Sequence, residues 1–197
     1  MNWPDTPTLS GQHVTLRPID RADREGLLAV FATGFEYTFS SMVPTAATID
    51  AWFDAAEREM AADRARVFTV LDAAGQISGT TRLMRMNHGH RRTELGGTLY
   101  ATRVRRTGLN TEAKRLLLGY AFEELNLLCV QIRTDMLNLA SRRAIERLGA
   151  RQDGVLRNHM VIDAPDTGQR QRDTAVYSIV AHEWPGVRRH LDGLLAR

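Results

Sequence analysis

The segment of residues 94–114 combines the residue types that could bind a diphosphate. It begins as a strand-like run at Glu94, continues through a basic turn, and passes directly into an amphipathic helix that contains Lys114. The first turn of a helix has backbone N–H groups without intrahelical acceptors and carries partial positive charge, which suits an anion. We therefore predict an anion site formed by Arg105, Arg106, Thr107, Gly108, Leu109, Asn110 and Thr111.

A second group of polar residues opens a later helical segment. Asn138 stands where that helix begins, Ser141 follows three residues later, and Arg142 is the next residue. Residues three apart lie near one face of a helix, so Asn138 and Ser141 can approach the same ligand. Asn138 is also a preferred residue for capping a helix, and both roles can hold together.

The two segments together resemble the GNAT N-acetyltransferase superfamily. Its acyl-CoA motif reads Gln/Arg-x-x-Gly-x-Gly/Ala, and the turn here reads Arg105-Arg-Thr-Gly108-Leu-Asn110, with Asn110 as a departure. Residues 138–150 resemble the helix of the superfamily that begins Asn-x-x-Ser/Ala and ends in Leu-Gly-Phe/Ala. Residues 154–159 and 172–178 resemble the closing strands of the RimL-like branch, which contains ribosomal-protein N-terminal acetyltransferases. The resemblance covers roughly residues 11–184.

This resemblance implies a fold and a co-substrate. The implied fold is α/β, with a mixed and mostly antiparallel sheet, a splayed central parallel strand pair, and helices on both faces. The implied co-substrate is acetyl-CoA, and no metal is expected. Beyond the anion site, the resemblance assigns the pantetheine arm to the backbone of Leu99, Tyr100 and Ala101, and the CoA sulfur and a pantetheine amide to Asn138 and Ser141 of the second helix. Arg142 is a candidate for the CoA phosphates, with a solvated side chain as the alternative.

The implied reaction is direct attack of a neutral primary amine on the thioester in a ternary complex. It requires a group that removes the proton of the amine and a group that protonates the departing thiolate. At the position of Glu94, related enzymes often have a carboxylate that deprotonates the amine through a water molecule. The alternative is that Glu94 is only an exposed charge at a strand end. In many members of the superfamily, a Tyr at the position of Ile145 acts as the general acid. The RimL-like branch lacks this Tyr and relies on the Ser of the helix, so the acid in this chain is predicted to be Ser141. Tyr177 is a secondary candidate for contacting substrate or thiolate.

Hydrophobic periodicity predicts the elements that position these residues. It predicts a strand over residues 13–18, a helix capped by Asp20, a helix after Thr48, and a hairpin of residues 67–71 and 76–86 that leads to the strand at Glu94. A helix over residues 110–125, a strand over 127–135, the helix from Asn138, two strands and a helix over 183–196 follow. A strand, a crossover helix and a second strand imply a parallel pair.

Composition narrows the class of protein. A chain of 197 residues fits one domain over residues 1–197. The net charge of +3 suits acidic ligands such as the phosphates of CoA, but without a lysine-rich tail or an aromatic-basic platform we expect no direct binding to nucleic acid. Neither a signal peptide nor a membrane-spanning run is evident, and Cys129 has no partner for a disulfide. We therefore expect a cytoplasmic protein with no membrane partner.

Two further interpretations stay open at this point. Asn110 and Ile145 depart from the common pattern of the superfamily, which motivates a non-catalytic acyl-CoA sensor. The basic charge alone motivates a ribosome- or RNA-associated module. The acceptor could be a protein N-terminus or a small amine-bearing compound, and the contacts of Asn158 and His159 with it are undecided. The oligomeric state is also open, with a homodimer as one alternative.

Overall fold

The computed structural model describes residue 3 and residues 5–32, 34–35, 39, 43–164 and 168–197. Eight strands and five α-helices follow one another within these residues. They are β1 (Leu9–Ser10), β2 (Val14–Pro18), α1 (Arg24–Phe31), α2 (Ile49–Ala61), β3 (Arg66–Asp72), β4 (Ile77–Asn87), β5 (Arg92–Tyr100), α3 (Gly108–Gly119), β6 (Cys129–Asp135), α4 (Leu139–Arg147), β7 (Arg151–Ala164), β8 (Gly168–Val180) and α5 (Trp184–Leu195).

All eight strands join one sheet in the order β1-β2-β3-β4-β5-β6-β8-β7. Neighbouring strands are antiparallel everywhere except between β5 and β6, which run parallel. The connection between this parallel pair contains α3, because a parallel pair needs a crossover. The predicted mixed sheet with one central parallel pair is therefore confirmed.

The parallel strands β5 and β6 separate after a short stretch of pairing. Residues 92–94 pair with residues 129–131, and no pairing of β5 with β6 follows beyond them. On its other edge β5 stays paired with β4, with a register shift between Thr80 and Arg82. Gly97 lies in this irregular stretch and has the left-handed φ of +56°, which favours glycine. The predicted splay of the central pair is confirmed.

Helices cover both faces of the sheet, as predicted. The guanidinium carbon of Arg82 lies 5.4 Å from the ring centroid of Trp52 in α2. The neighbouring Thr81 points the other way, because successive strand residues face opposite sides, and its Oγ1 lies 3.0 Å from Nζ of Lys114 in α3. On that second face α4 meets α3 through a hydrogen bond from Arg147 to Thr111 of 2.9 Å.

The predicted helix boundaries agree with the structure apart from one extension. Asp20 caps the short 3₁₀ turn that leads into α1, accepting the N–H of Ala22 at 2.8 Å. The predicted helix over residues 110–125 begins two residues earlier, at Gly108, and its last turn over residues 120–124 is a π-helix. None of the helices in the described parts of the chain is long and apolar enough to cross a membrane.

Candidate active site

The N-terminus of α3 has the geometry of an anion site. Thr107 is the N-cap residue, and its hydroxyl accepts the N–H of Leu109 at 3.3 Å and donates to the carbonyl of Val104 at 2.7 Å. The other N–H groups of the first turn have no intrahelical acceptor and are available to a ligand. Arg106, which precedes the cap, has the left-handed φ of +63°. The predicted turn therefore forms at the expected place.

Glu112 attaches this helix to the start of β2. Its carboxylate accepts the backbone N–H groups of Gln12, His13 and Val14 at 2.9, 2.5 and 3.0 Å. The ring of His13 consequently lies against Gly108, where an added Cβ would come within 3.0 Å of the imidazole. The close approach explains why a glycine opens α3.

The two arginines of the turn have different surroundings. Arg105 donates from Nη2 to the carbonyl of Gly34 at 2.8 Å, and its guanidinium carbon lies 4.9 Å from the ring centroid of Phe35. Its Nε also donates to the carbonyl of Tyr100 at 3.2 Å, so Arg105 links the end of β5 to the segment that follows α1. Arg106 is exposed and has no hydrogen bond or ion pair within the described part of the chain. Arg106 is thus the better placed of the two for a phosphate, and the phosphate contact of Arg105 stays a prediction.

The splay leaves one backbone edge of β5 open. Leu99 and Tyr100 pair with Thr80 and Gly79 of β4, and the N–H of Ala101 donates to the carbonyl of Ser78 at 2.8 Å. Their backbone groups on the side of β6 have no strand partner, because the parallel pairing ends at residue 94. The Tyr100 carbonyl on this side accepts Nε of Arg105 at 3.2 Å. A ligand with amide groups can pair with such an edge as an added strand does.

The start of α4 brings Asn138 and Ser141 together. The side-chain oxygen of Asn138 accepts the backbone N–H of Ser141 at 2.9 Å, so the predicted capping role is confirmed. The hydroxyl of Ser141 is half-buried and forms no hydrogen bond among the residues that the structure describes. Ile145, one turn later, is buried in the core. The Ser141 hydroxyl is therefore available to a ligand.

Tyr177 and Arg142 contact each other beneath α4. The buried Tyr177 hydroxyl donates to Glu146 at 2.9 Å and accepts from Nε of Arg142 at 3.1 Å. Burial raises the pKa of Tyr177, and the hydrogen bond from Arg142 opposes that shift. Both partners belong to α4, so this pair holds the helix against β8. Contacts of Tyr177 and Arg142 with a ligand stay predictions.

Glu94 lies at the point where β5 and β6 separate. It is only 5% exposed, so the alternative of an exposed charge at a strand end is wrong. Its carboxylate pairs with Arg85 and lies 3.3 Å from Nε of Arg133 on β6. A role of Glu94 as the base stays a prediction.

Lys114 is a buried residue that the sequence interpretation missed. Its Nζ donates to the hydroxyl of Thr81 at 3.0 Å and to that of Thr98 at 2.6 Å, and the two hydroxyls are 2.9 Å apart. Burial lowers the pKa of Lys114 to about 7. The signal was present in the spacing, because Lys114 precedes the buried Leu117 and Leu118 by three and four residues on one helix face.

Asn158 and His159 lie on exposed positions of β7. The N–H of Asn158 donates to Asp173 at 2.7 Å, and Nδ1 of His159 lies 3.0 Å from the hydroxyl of Thr174. These bonds are internal to the β7–β8 hairpin, and they leave contacts with an acceptor undecided.

A mostly apolar cavity of about 530 Å³ adjoins α1 on the face of the sheet that carries α2. One of its walls, Phe31, packs edge-on against Trp52 at a centroid distance of 6.4 Å. The lining residues are Leu28, Phe31, Ala32, Phe35, Val43, Pro44, Thr45 and Ala46.

Comparison with known proteins finds one matching family and several relatives, all of them acetyltransferases by name. The model of the acetyltransferase (GNAT) domain family matches residues 13–151. YdaF of Bacillus subtilis (strain 168), a candidate ribosomal N-acetyltransferase, is 27% identical over 185 residues, which are 89% of this chain and 95% of YdaF. The spermidine N(1)-acetyltransferase of Escherichia coli (strain K12) is 26% identical over 161 residues, 78% of this chain and 81% of the enzyme. A crystal structure of a GCN5-related N-acetyltransferase from Brucella melitensis gives a TM-score of 0.85 at 29% identity, covering 98% of this chain and 86% of that one.

Proposed function

This chain belongs to the GNAT acetyltransferase family and is an N-acetyltransferase, and we propose that it transfers acetyl from acetyl-CoA to a primary amine by direct attack in a ternary complex. One observation supports the proposal above all others. The open edge of β5 lies between the N-terminus of α3, which suits a diphosphate, and the start of α4, where the Ser141 hydroxyl has no hydrogen bond to any described residue.

In the proposed complex each part of acetyl-CoA has its own binding element. The diphosphate contacts the N–H groups at the start of α3 that the Thr107 cap leaves available, and Arg105 and Arg106 add positive charge. The pantetheine amides pair with the backbone of residues 99–101 along the open edge. Asn138, Ser141 and Arg142 line the other side through α4.

The proposed chemistry uses two side chains and one backbone group. Glu94 removes the proton of the acceptor amine through a water molecule, and the neutral nitrogen attacks the thioester carbonyl. A backbone N–H of β5 near Leu99 stabilises the oxyanion, a contribution of about 3 to 4 kcal/mol for a well-placed donor. As the oxyanion collapses to the amide, the positively charged nitrogen loses its extra proton to solvent and the C–S bond breaks. The thiolate of CoA takes a proton from the hydroxyl of Ser141, which regains one from solvent.

The branch and the acceptor belong to the same proposal. The relationship to YdaF supports the RimL-like branch, with either a protein N-terminus or a small amine-bearing compound as acceptor. The relatives that have a named activity are acetyltransferases, which supports catalysis over the alternative of a CoA sensor. We also propose a cytoplasmic location, because Cys129 has no other cysteine to pair with.

Calorimetric titration with acetyl-CoA tests the binding mode directly. We expect a dissociation constant in the micromolar range for acetyl-CoA and much weaker binding of ATP, which lacks the pantetheine arm. Desulfo-CoA should bind nearly as well as CoA, because the thiol adds little to the contacts along β5. Absence of acetyl-CoA binding to a folded protein would contradict the proposal.

Ser141→Ala tests the proposed acid. We expect kcat to fall about 100-fold, since general acid–base catalysis contributes factors of this order, while the KM for acetyl-CoA changes little. The steady-state kinetics are measured with a thiol-detecting assay. An unchanged kcat would show that the departing thiolate is protonated by another group or by water.

Asn138→Ala is the matched variant at the same helix end. It removes the capping acceptor but leaves the Ser141 hydroxyl in place, so we expect a loss of about 1 kcal/mol in the free energy of unfolding. Urea denaturation measures this loss. A loss of stability in Asn138→Ala larger than the error, together with none in Ser141→Ala, would separate the capping role from the chemical one.

A further inference from the structure

A set of arginines gathers around Glu94 on the face of the sheet that carries α2. Arg85 and Arg133 pair with Glu94, and Arg170 and Arg172 approach Asp135 at the end of β6. We call the following residues the arginine surface: Arg82, Arg85, Arg133, Arg170 and Arg172.

Strand alternation places this surface on one side of the sheet. Ile132 of β6 lies opposite Tyr177, which contacts α4, so the next residue, Arg133, faces away from α4. Asp135 comes two residues after Arg133 and therefore faces the same side of the sheet. Arg170 and Arg172 of β8 approach Asp135 on that side. Arg82 faces α2 through Trp52. The surface therefore surrounds Glu94 on the side opposite α3 and α4.

The carboxylates in contact with the arginine surface are too few to match its charge. Within the described residues its five guanidinium groups meet only two carboxylates, Glu94 and Asp135. Arg172 lies 3.9 Å from an Asp135 oxygen that already pairs with Arg170, and its Nε is buried without a hydrogen bond. The unmatched positive charge favours an anionic partner.

Within the arginine surface, Arg82 has the fewest partners and lies beside the part of β5 that separates from β6. Its Nε is buried, and its guanidinium forms no hydrogen bond or ion pair in the part of the chain that the structure describes. The side chain crosses β5 at the bulge, since an added Cβ on Gly97 would lie 2.5 Å from Nε of Arg82. Gly97 thus makes room for a cation beside the open edge of β5.

Resting on the proposed function, we propose that the acceptor is a small amine that carries a carboxylate, such as an amino acid, and that Arg82 binds this carboxylate. Arg172 adds positive charge on the same surface, and the amine faces Glu94. A planar guanidinium can bind a carboxylate through two parallel hydrogen bonds, so Arg82 provides orientation as well as charge. A polyamine would place extra cations against this surface and is disfavoured.

The test compares matched amines. L-Amino acids are assayed beside their own α-carboxamides, with spermidine as a cationic amine. The α-amine of a carboxamide is less basic than that of the parent amino acid, so more of it is neutral at a given pH. The reactivity of the amine alone would therefore make the carboxamide the faster substrate. We expect kcat/KM to be higher for the carboxylate by about tenfold to a hundredfold, the usual effect of a hydrogen-bonded charge.

Two variants assign the preference to the arginine surface. In Arg82→Gln we expect the preference for the carboxylate to shrink to within about threefold, with the carboxamide rate retained. Arg172→Gln should reduce the preference in part, and it provides a second measurement if Arg82→Gln does not fold. Arg189→Gln, an exposed substitution on α5, should leave the preference unchanged.

A binding measurement separates this inference from the proposed function. Calorimetry compares N-acetyl-L-amino acids with their carboxamides on the CoA-bound protein, which reports carboxylate recognition without turnover. Selective binding of the carboxylate without acetylation of any amine would sustain the carboxylate site at Arg82 and contradict the proposed function. Equal kcat/KM for amino acids, their carboxamides and spermidine would overturn the inference and leave acetyl transfer standing. The same would follow if Arg82→Gln lowered kcat/KM equally for an amino acid and its carboxamide.

Discussion

Glu94→Gln is expected to lower kcat by about 100-fold to 1000-fold at neutral pH, the range over which general bases contribute. Glutamine keeps the size of the side chain but cannot accept the proton of the amine. Glu94 lies where β5 and β6 separate, on the face that carries α2, and it is buried. In the proposed complex, a carboxylate at that point reaches the acceptor through a water molecule while CoA lies along the open edge.

The measurement is a pH profile of kcat/KM for the acceptor. In Glu94→Gln the deficit should shrink as the pH rises, because more of the acceptor amine is then already neutral and needs no base. This readout distinguishes a base from a structural carboxylate, because a deficit caused by the loss of an ion pair is not relieved by a larger supply of neutral amine.

A matched control exists on the turn before β3. Asp63 also contacts two basic side chains, Arg66 at 2.5 Å and His88 at 2.6 Å, and it lies outside the proposed site. We expect Asp63→Asn to lower the melting temperature, because the buried guanidinium of Arg66 loses the charge of Asp63. The kcat should stay within about twofold of the wild type, because no group of the proposed site is altered. If Glu94→Gln behaved like Asp63→Asn, with lower stability and normal kcat, Glu94 would act only as the ionic partner of Arg85 and Arg133.

Lys114→Met is expected to stabilise the protein at pH 6 by about 2 to 4 kcal/mol and to have little effect at pH 10. The ammonium group is buried between α3 and the sheet, and its hydrogen-bond acceptors are two neutral hydroxyls. Burial lowers its pKa from 10.5 to about 7 in the folded protein. A shift of this size corresponds to roughly 4 to 5 kcal/mol against folding with the lysine charged, partly offset by its hydrogen bonds.

The direction with pH follows from proton linkage. Between about pH 7 and pH 10.5 the unfolded chain binds more protons at Lys114 than the folded protein does, so wild-type stability rises with pH across this window. Below pH 7 the lysine is charged in both states, and the destabilisation is present in full. Methionine has no charge to desolvate, so the difference between variant and wild type should shrink as the pH rises.

Urea denaturation at several pH values measures this difference, with Arg58→Met as the control for exchanging an exposed cation on a helix. The hydroxyls of Thr81 and Thr98 remain bonded to each other at 2.9 Å, so neither is orphaned by the substitution. A destabilised Lys114→Met at pH 6, or a difference from the wild type that does not vary with pH, would contradict the burial of a weakly paired ammonium group.

The sequence by itself determined the fold and the order of the binding elements. Residues 105–110 and 138–141 predicted the starts of α3 and α4 to within two residues, because caps and anion-binding turns depend on local backbone chemistry. The strand-helix-strand order predicted the parallel pair for a similar reason, since short connections permit few topologies. These features lie within about thirty residues of one another, and local pattern is enough to detect them.

The tertiary structure alone decided the environment of each charged side chain. Arg105 turns to Gly34, Glu94 is buried between arginines, and Lys114 reaches two threonines. The partners in each case come from segments distant in sequence or on another strand. Spacing along one element specifies which face a residue occupies, but the charge, burial and hydrogen bonds on that face depend on which other elements pack there. Acetyl transfer was therefore foreseeable from motifs, whereas the positive surface around Glu94 emerged only when β4, β5, β6 and β8 were assembled.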